Sequence, residues 1–257
     1  LSLVGSLAVL FIPIPAGLLD FLFLANFSLA LLILLLTFYM GKPLEFSTFP
    51  SLLLITTLFR LSLNIAATRL ILGNANAGQV IDTVGNYAVA GNYVIGLIVF
   101  LVLVVVQYVV VTAGAQRVAE VAARFTLDSM PGKQMSIDAE LNLGLIDEKQ
   151  AREQRKNIER EANFYGAMDG ASKFVKGDAI AGIIIILIDI IGGLTIGIVQ
   201  HGMDWSDALR TYTLLTIGDG IVTQVPALVI ATATGIIVTR ASSDAQLSHE
   251  VTRQITS

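Results

Sequence analysis

Several charged side chains in this sequence sit where their neighbours are almost wholly apolar: Arg60 and Arg69 within 51–72, Asp189 within 179–200 and Asp219 within 209–240. A charge inside a hydrocarbon layer costs about 3 kcal/mol or more, so such groups face a bundle interior or a wet cavity and find partners there. Arg60, Asn64 and Thr68 recur at i, i+4 and i+8, with Thr57 beside them, which draws one polar face on an otherwise apolar helix. Two chemistries suit that face. One is interhelical glue, in which Arg60 pairs with a carboxylate only to satisfy both charges. The other is an ion path that uses the same groups.

Three aspartates extend the choice. Asp178 follows Gly177, precedes Ala179-Ile180-Ala181-Gly182 and has Lys173 and Lys176 shortly before it. It is placed to N-cap the helix that follows, a role that needs no function. A carboxylate at a membrane boundary beside lysines is also a group that changes protonation and charge partner in one step, as a proton-coupled switch requires. Asp189 lies eleven residues further on, about 16 Å at helical rise and so near the middle of a bilayer, where a charge is penalised unless a cation such as Arg60 compensates. Asp219 lies between Gly218 and Gly220; it either caps a local break at a tight helix contact or belongs to a discontinuous helix that exposes polar groups to an ion. In the ion-path reading, protonation of Asp178 frees it from Lys173, Lys176 or an arginine of the 116–177 region, while Asp219, Arg60 and Asp189 shape an aqueous route to it. His201 and His249 have no companions for a metal site. An intramembrane aspartyl protease is excluded, because residues 216–219 read Thr-Ile-Gly-Asp rather than Gly-x-Gly-Asp and Asp178 and Asp219 lie at different depths.

The elements that hold these groups are membrane helices. Of 257 residues, 54% are hydrophobic and 14% charged, against about a quarter charged in soluble domains, which excludes a soluble enzyme or a nucleic-acid-binding domain. The net charge of −4 provides no basic field for polyanions, and the absence of cysteine excludes disulfides and thiolate metal sites. Apolar segments fall at 1–12, 18–40, 51–72, 93–115, 179–200 and 209–240, about six crossings of an all-α polytopic protein. The first is short and ends at Pro13 and Pro15; the last contains Gly218-Asp219-Gly220 and Pro226 and is expected to tilt or break. Leu1 at the start and an unfinished end read as part of a longer protein.

Cation placement orients the bundle. Ten of the sixteen Lys and Arg lie between Ala115 and Gly177, Lys42 follows the second segment, and Arg240 and Arg253 follow the sixth, whereas 73–92 and 201–208 contain none. The 116–177 insert and both visible ends are therefore cytoplasmic. The chain divides into four membrane helices over 1–115, a helical cytoplasmic domain at 116–177, two further helices over 178–240 and the start of a cytoplasmic segment at 241–257. Within the insert, Met130-Pro131-Gly132 reads as a turn, Ser136 or Asp138 as the cap of a short helix to about Leu143, and Asp147 as the start of a longer helix. That helix carries Ala151, Ile158, Ala162 and Tyr165 on one stripe and the i,i+4 pairs Glu148/Arg152, Lys149/Glu153 and Arg155/Glu159.

The strings Arg124-Phe125-Thr126-Leu127-Asp128-Ser129-Met130-Pro131-Gly132-Lys133 and Phe164-Tyr165-Gly166-Ala167-Met168-Asp169-Gly170-Ala171-Ser172-Lys173, the latter running on to Lys176-Gly177-Asp178-Ala179-Ile180-Ala181-Gly182, closely resemble signatures of the flagellar/Hr/invasion-protein export pore (FHIPEP) family. So do Phe59-Arg60-Leu61-Ser62-Leu63-Asn64 and Thr216-Ile217-Gly218-Asp219-Gly220, and the likeness is greatest to the family's flagellar branch. The resemblance implies a subunit of the bacterial type III protein export gate in the inner membrane, a nonameric homo-oligomeric ring and not an enzyme, with H⁺ or Na⁺ as coupling ion and no other cofactor or metal. It implies contact with other export-gate membrane subunits, and, through a large C-terminal domain not in this sequence, with the export ATPase complex and substrate–chaperone complexes; nucleic acid is no partner. It assigns roles in export and ion coupling to the matches of Arg117, Arg124, Asp128, Lys173, Asp178 and Asp219, with Asp178 foremost. Asp189 departs from the pattern, since family members often carry Asn there. Three rivals remain: a ring scaffold without ion conduction, an injectisome homologue exporting virulence effectors, and a small-solute transporter, which would need a paired inverted repeat that the sequence does not display.

Overall fold

The computed structural model describes residues 2–40, 43–89 and 91–239, and it is helical almost throughout. Lys42, Arg240, His249, Arg253 and the 241–257 segment lie outside the described residues. In order the helices are α1 (Ser2–Phe11), α2 (Ala16–Tyr39), α3 (Phe49–Asn74), α4 (Gln79–Val89), α5 (Tyr93–Val106), α6 (Ala113–Asn142), α7 (Glu148–Val199) and α8 (Trp205–Thr239), with a 3₁₀ turn at Pro43–Phe46. A π-helical turn over Gln107–Thr112 joins α5 to α6 without a break.

Five helices are long and apolar enough to cross a membrane: α2, α3, the continuous α5–α6 rod, α7 and α8. α1, the first of the expected crossings, has ten described residues, about 15 Å, and is shorter than these five. α1 instead packs along α3, where Arg69 Nη1 and Nη2 donate to the carbonyls of Phe11 and Leu10 at 3.3 Å. Arg69 thus answers the carbonyl dipoles at a helix C-terminus and has no part in a buried charge pair. The outer flanks of α2, α5 and α7 carry exposed side chains such as Phe21, Leu32, Val102, Ile184 and Ile191, an apolar perimeter suited to lipid.

The helices α2, α3, α7 and α8 enclose two apolar clusters, one around Leu19, Phe23, Leu63, Ile71 and Tyr212 and one around Ile33, Phe49, Met168 and Ile237. α4, within the stretch expected as a loop, presents Ile81, Gly85 and Val89 to α8 at i, i+4 and i+8. Its N-terminus is capped from α2: Asp20 accepts from the backbone N–H of Gln79 at 2.9 Å and of Val80 at 3.0 Å. Gly78, at φ +105°, lies against that carboxylate, where a Cβ would collide.

Three local expectations are corrected. α8 runs unbroken through Gly218-Asp219-Gly220. Those glycines serve close packing: a Cβ on Gly218 would strike the Ile81 carbonyl of α4, and one on Gly220 would strike the Phe100 ring of α5. Pro131 sits inside α6, so Met130-Pro131-Gly132 is no turn, and Ser136 and Asp138 lie inside that helix and cap nothing. Asp178 lies within the 52-residue α7 and is not an N-cap, because backbone groups earlier in α7 already satisfy the turn around it.

The long α6–α7 hairpin turns at Gly144, at φ +72°, and restarts at Asp147, whose side chain accepts from Gln150 N–H at 2.6 Å while Gln150 Oε1 accepts from Asp147 N–H at 2.9 Å. Ile137, Ala151 and Ile158 form its small core. Across the hairpin, Lys133 pairs with Glu161 at 2.8 Å and Arg155 pairs with Asp138. The expected i,i+4 pairs of α7, Arg155/Glu159 among them, do not close among the described residues. Both α6 and α7 continue from the hairpin into the apolar bundle without a break at 115/116 or 177/178.

Candidate functional site

The polar face of α3 meets α7. Arg60 Nη2 donates to Asp178 Oδ2 in a buried ion pair. Two turns along, Thr68 Oγ1 donates to Asp189 Oδ2 at 3.2 Å. Eight residues separate Arg60 from Thr68 and eleven separate Asp178 from Asp189, about 12 and 16 Å of rise, so α3 and α7 lie side by side in the same direction and these contacts tie them together. α8 comes in through glycine: the Tyr212 ring fills the space over Gly193 and Gly197 of α7. That seat brings Asp219, two turns further along α8, to the same cavity as Asp178, which corrects the expectation that the two lie at different depths.

Between these helices lies a cavity of about 40 Å³, lined by Arg60 and Asn64 of α3, Gln107 of the π turn, Asp178 of α7, and Asp219 and Thr223 of α8. One water needs about 10–15 Å³, so the space suits about three or four waters or a small hydrated cation. Tyr108 and Gln224 line it as well, yet Asn64 Oδ1, Asp178 Oδ1 and Asp219 Oδ1 are buried without a hydrogen-bond partner among the described residues, and so is the neighbouring Asp189 Oδ1. The charges are equally lopsided. Asp178, Asp189 and Asp219 are 8, 0 and 2% exposed, and Arg60, at 4%, is the one cation lining the cavity. Three buried carboxylates against a single guanidinium leave two charges to be met by protons or other cations, since an uncompensated buried charge costs several kcal/mol.

The remaining charged candidates lie elsewhere. Arg117 pairs with Glu120 at 3.4 Å and Arg124 with Asp128 at 4.0 Å, all four groups on α6 and well solvated. Lys173 pairs with Asp169 at 2.7 Å rather than with Asp178, and Lys176 makes no ion pair among the described residues. Helical phase explains this: positions two and five residues before Asp178 point about 160° and 140° away from it. Gln107 and Thr223 belong to the site and were not singled out from the sequence; a lone amide within the apolar stretch 97–111, at i+7 from Phe100, was the available signal.

An apolar bundle of at least five long helices around a buried polar cluster with too few cations defines a polytopic helical membrane protein with an intramembrane ionic site. Residues 6–257 match the FHIPEP family, and the chain belongs to it. It is 58% identical to the flagellar biosynthesis protein FlhA of Bacillus subtilis over 255 residues, 99% of this chain and 38% of that protein. It is 53% identical to FlhA of Escherichia coli over 97% of this chain and 37% of the relative, and 52% identical to the harpin secretion protein HrpI of Erwinia amylovora over 96% and 35%. The chain therefore spans little more than a third of the length of these relatives. No solved structure matches it significantly.

Proposed function

We propose that this chain is the membrane part of an ion-coupled component of a bacterial type III protein export gate, resident in the inner membrane with the α6–α7 hairpin on the cytoplasmic side. Family membership and relatives named for flagellar biosynthesis and harpin secretion support the export role. The single observation that carries ion coupling is the Arg60–Asp178 pair at the edge of a small polar cavity whose acceptor oxygens lack donors. A cation entering that cavity, H⁺ or Na⁺, meets Asp178 Oδ1. Protonation or ion binding there weakens the attraction that ties α7 to α3 through Arg60. Because α7 runs unbroken from the cavity into the hairpin, a rotation of α7 at Asp178 moves the hairpin with it. The partner released is Arg60, and not Lys173 or Lys176. Asp219 and Asp189 continue the acidic lining toward the other side of the bilayer, and the charged residues of the hairpin, Arg117, Arg124 and Asp128 among them, face the cytoplasmic partners. The full protein acts as a homo-oligomeric ring beside other export-gate subunits.

Export by Asp178→Asn and Asp178→Glu variants of the full-length protein tests this. The Asn form cannot titrate and is expected to export at least tenfold less, with partial activity for Glu. Wild-type export by Asp178→Asn removes the coupling mechanism. The pair also satisfies itself as structural glue, which favours a passive ring scaffold as the second reading; that reading requires no H⁺ or Na⁺ flux in proteoliposomes whatever the state of the carboxylates.

A further inference from the structure

The α5–α6 rod is the wall of the cavity that carries no charged residue, and its buried residues change phase partway along. Phe100, Val104 and Gln107 are buried at i, i+4 and i+7. An uninterrupted α-helix continues that face at positions 111, 115, 118 and 122. The buried positions are instead Thr112, Ala119 and Ala123, one residue later throughout. The extra residue is taken up in the π turn, where the Ala113 N–H bonds to the Tyr108 carbonyl, five residues back. The turn thereby lets two different faces point inward: one that seats the rod's apolar half against α8 at Gly220, and one that seats α6 against α7 in the hairpin. Gln107 is the first residue of this turn. Its side chain is 8% exposed, lines the cavity, and makes no hydrogen bond to the protein among the described residues. It faces Arg60 and Asn64 from α3, Asp178 from α7, and Asp219 and Thr223 from α8.

We propose that Gln107 is a ligand-positioning residue of this cavity, an amide on the inward face of Phe100 and Val104 that completes the shell of a small cation or hydronium held between Asn64, Asp178 and Asp219. The amide suits the task because it offers one acceptor oxygen and two donors without adding charge, so it orients water or cation toward carboxylates already short of donors. The inference rests on the ion-coupling reading above.

The test is flux of H⁺ and of Na⁺, imposed separately, through the full-length protein in proteoliposomes, with Asp178→Asn as the reference. Gln107→Leu is expected to lower flux about tenfold, Gln107→Asn to recover part of it, and Gln107→Glu to move the pH of half-maximal flux, since a third carboxylate then faces Asp178 and Asp219. Wild-type flux in Gln107→Leu, while Asp178→Asn is impaired, overturns the role of Gln107 and leaves the coupling reading intact. Equal loss in the Leu, Asn and Glu variants with an unchanged pH profile reduces Gln107 to packing and likewise overturns it. Wild-type flux in Asp178→Asn defeats the coupling reading itself.

Discussion

Among the described residues Arg60 and Asp178 are each other's one ion-pair partner, and both are buried. Breaking one side of a buried pair costs about 3–5 kcal/mol, whereas replacing both sides with apolar groups of similar volume is often neutral or stabilising. Arg60→Leu alone is therefore expected to lower the thermal stability of the detergent-solubilised protein sharply, and Arg60→Leu/Asp178→Leu to recover most of it. Export is expected to stay absent in both. A double variant that is stable and exports shows the pair to be dispensable to coupling. Lys173 behaves differently. Its hydrogen bond to Asp169, and then the carboxylate's charge, raise its pKa above the usual 10.5. A cation with a raised folded-state pKa contributes stability that is fully present below 10.5 and lost only as pH rises through the higher value. The stability difference between wild type and Lys173→Gln is thus expected to be flat from about pH 6 to 9 and to vanish only in strong alkali, which a pH series of melting curves reads directly. Lys173 is a fixed charge on the hairpin and not a titrating switch at neutral pH.

At the scale of elements, glycine decides which helices touch. Gly218 admits the backbone of α4, Gly220 the Phe100 ring of α5, and Gly193 and Gly197 the Tyr212 ring, and these approaches set the position of Asp219 against α7. Gly218→Ala places a methyl against the Ile81 carbonyl and is expected to cost about 1–3 kcal/mol, as overpacking in a tight core does. Gly166, in mid-α7, has nothing within 4 Å of where its Cβ would stand, so Gly166→Ala is expected to stabilise by up to about 1 kcal/mol through helix propensity. Paired melting measurements on the two variants distinguish a packing glycine from a merely tolerated one. If Gly218→Ala melts like wild type, α4 does not lie where the fold puts it.

For the whole molecule, the decisive property is which end faces which compartment. The hairpin tip around Leu145 and the α7–α8 turn at His201 are exposed and lie at opposite ends of α7. These 257 residues contain no cysteine, so a single introduced thiol is unique within this part of the protein. His201→Cys is expected to react with a membrane-impermeant maleimide added to intact spheroplasts, and Leu145→Cys only after the membrane is opened. Labelling of both from the same side contradicts a bundle with these ends in different compartments.

Much of this organisation is written in one dimension. Apolar length, cation asymmetry and the i, i+4, i+8 spacing of Arg60, Asn64 and Thr68 report the membrane class, the principal spans and the polar face of α3, because each is a property of a single helix in a layered solvent. Asp147 was legible as a helix start for the same reason: a cap is satisfied within four residues. The failures share the opposite cause. Pro131, Ser136, Asp138 and Gly218-Asp219-Gly220 look like local punctuation, yet cross-hairpin ion pairs and interhelical contacts hold those helices continuous and give the same residues other uses. The partner of Asp178 is 118 residues away on another helix, while two lysines adjacent in sequence are turned aside by helical phase. The phase shift that buries Thr112, Ala119 and Ala123 exists only because α5 and α6 must satisfy different neighbours. Composition and periodicity decide which residues avoid lipid. Only packing among α3, α5, α7 and α8 decides which of them meet around one cavity, because charge pairing and close contact depend on distances in space that spacing along a chain does not encode.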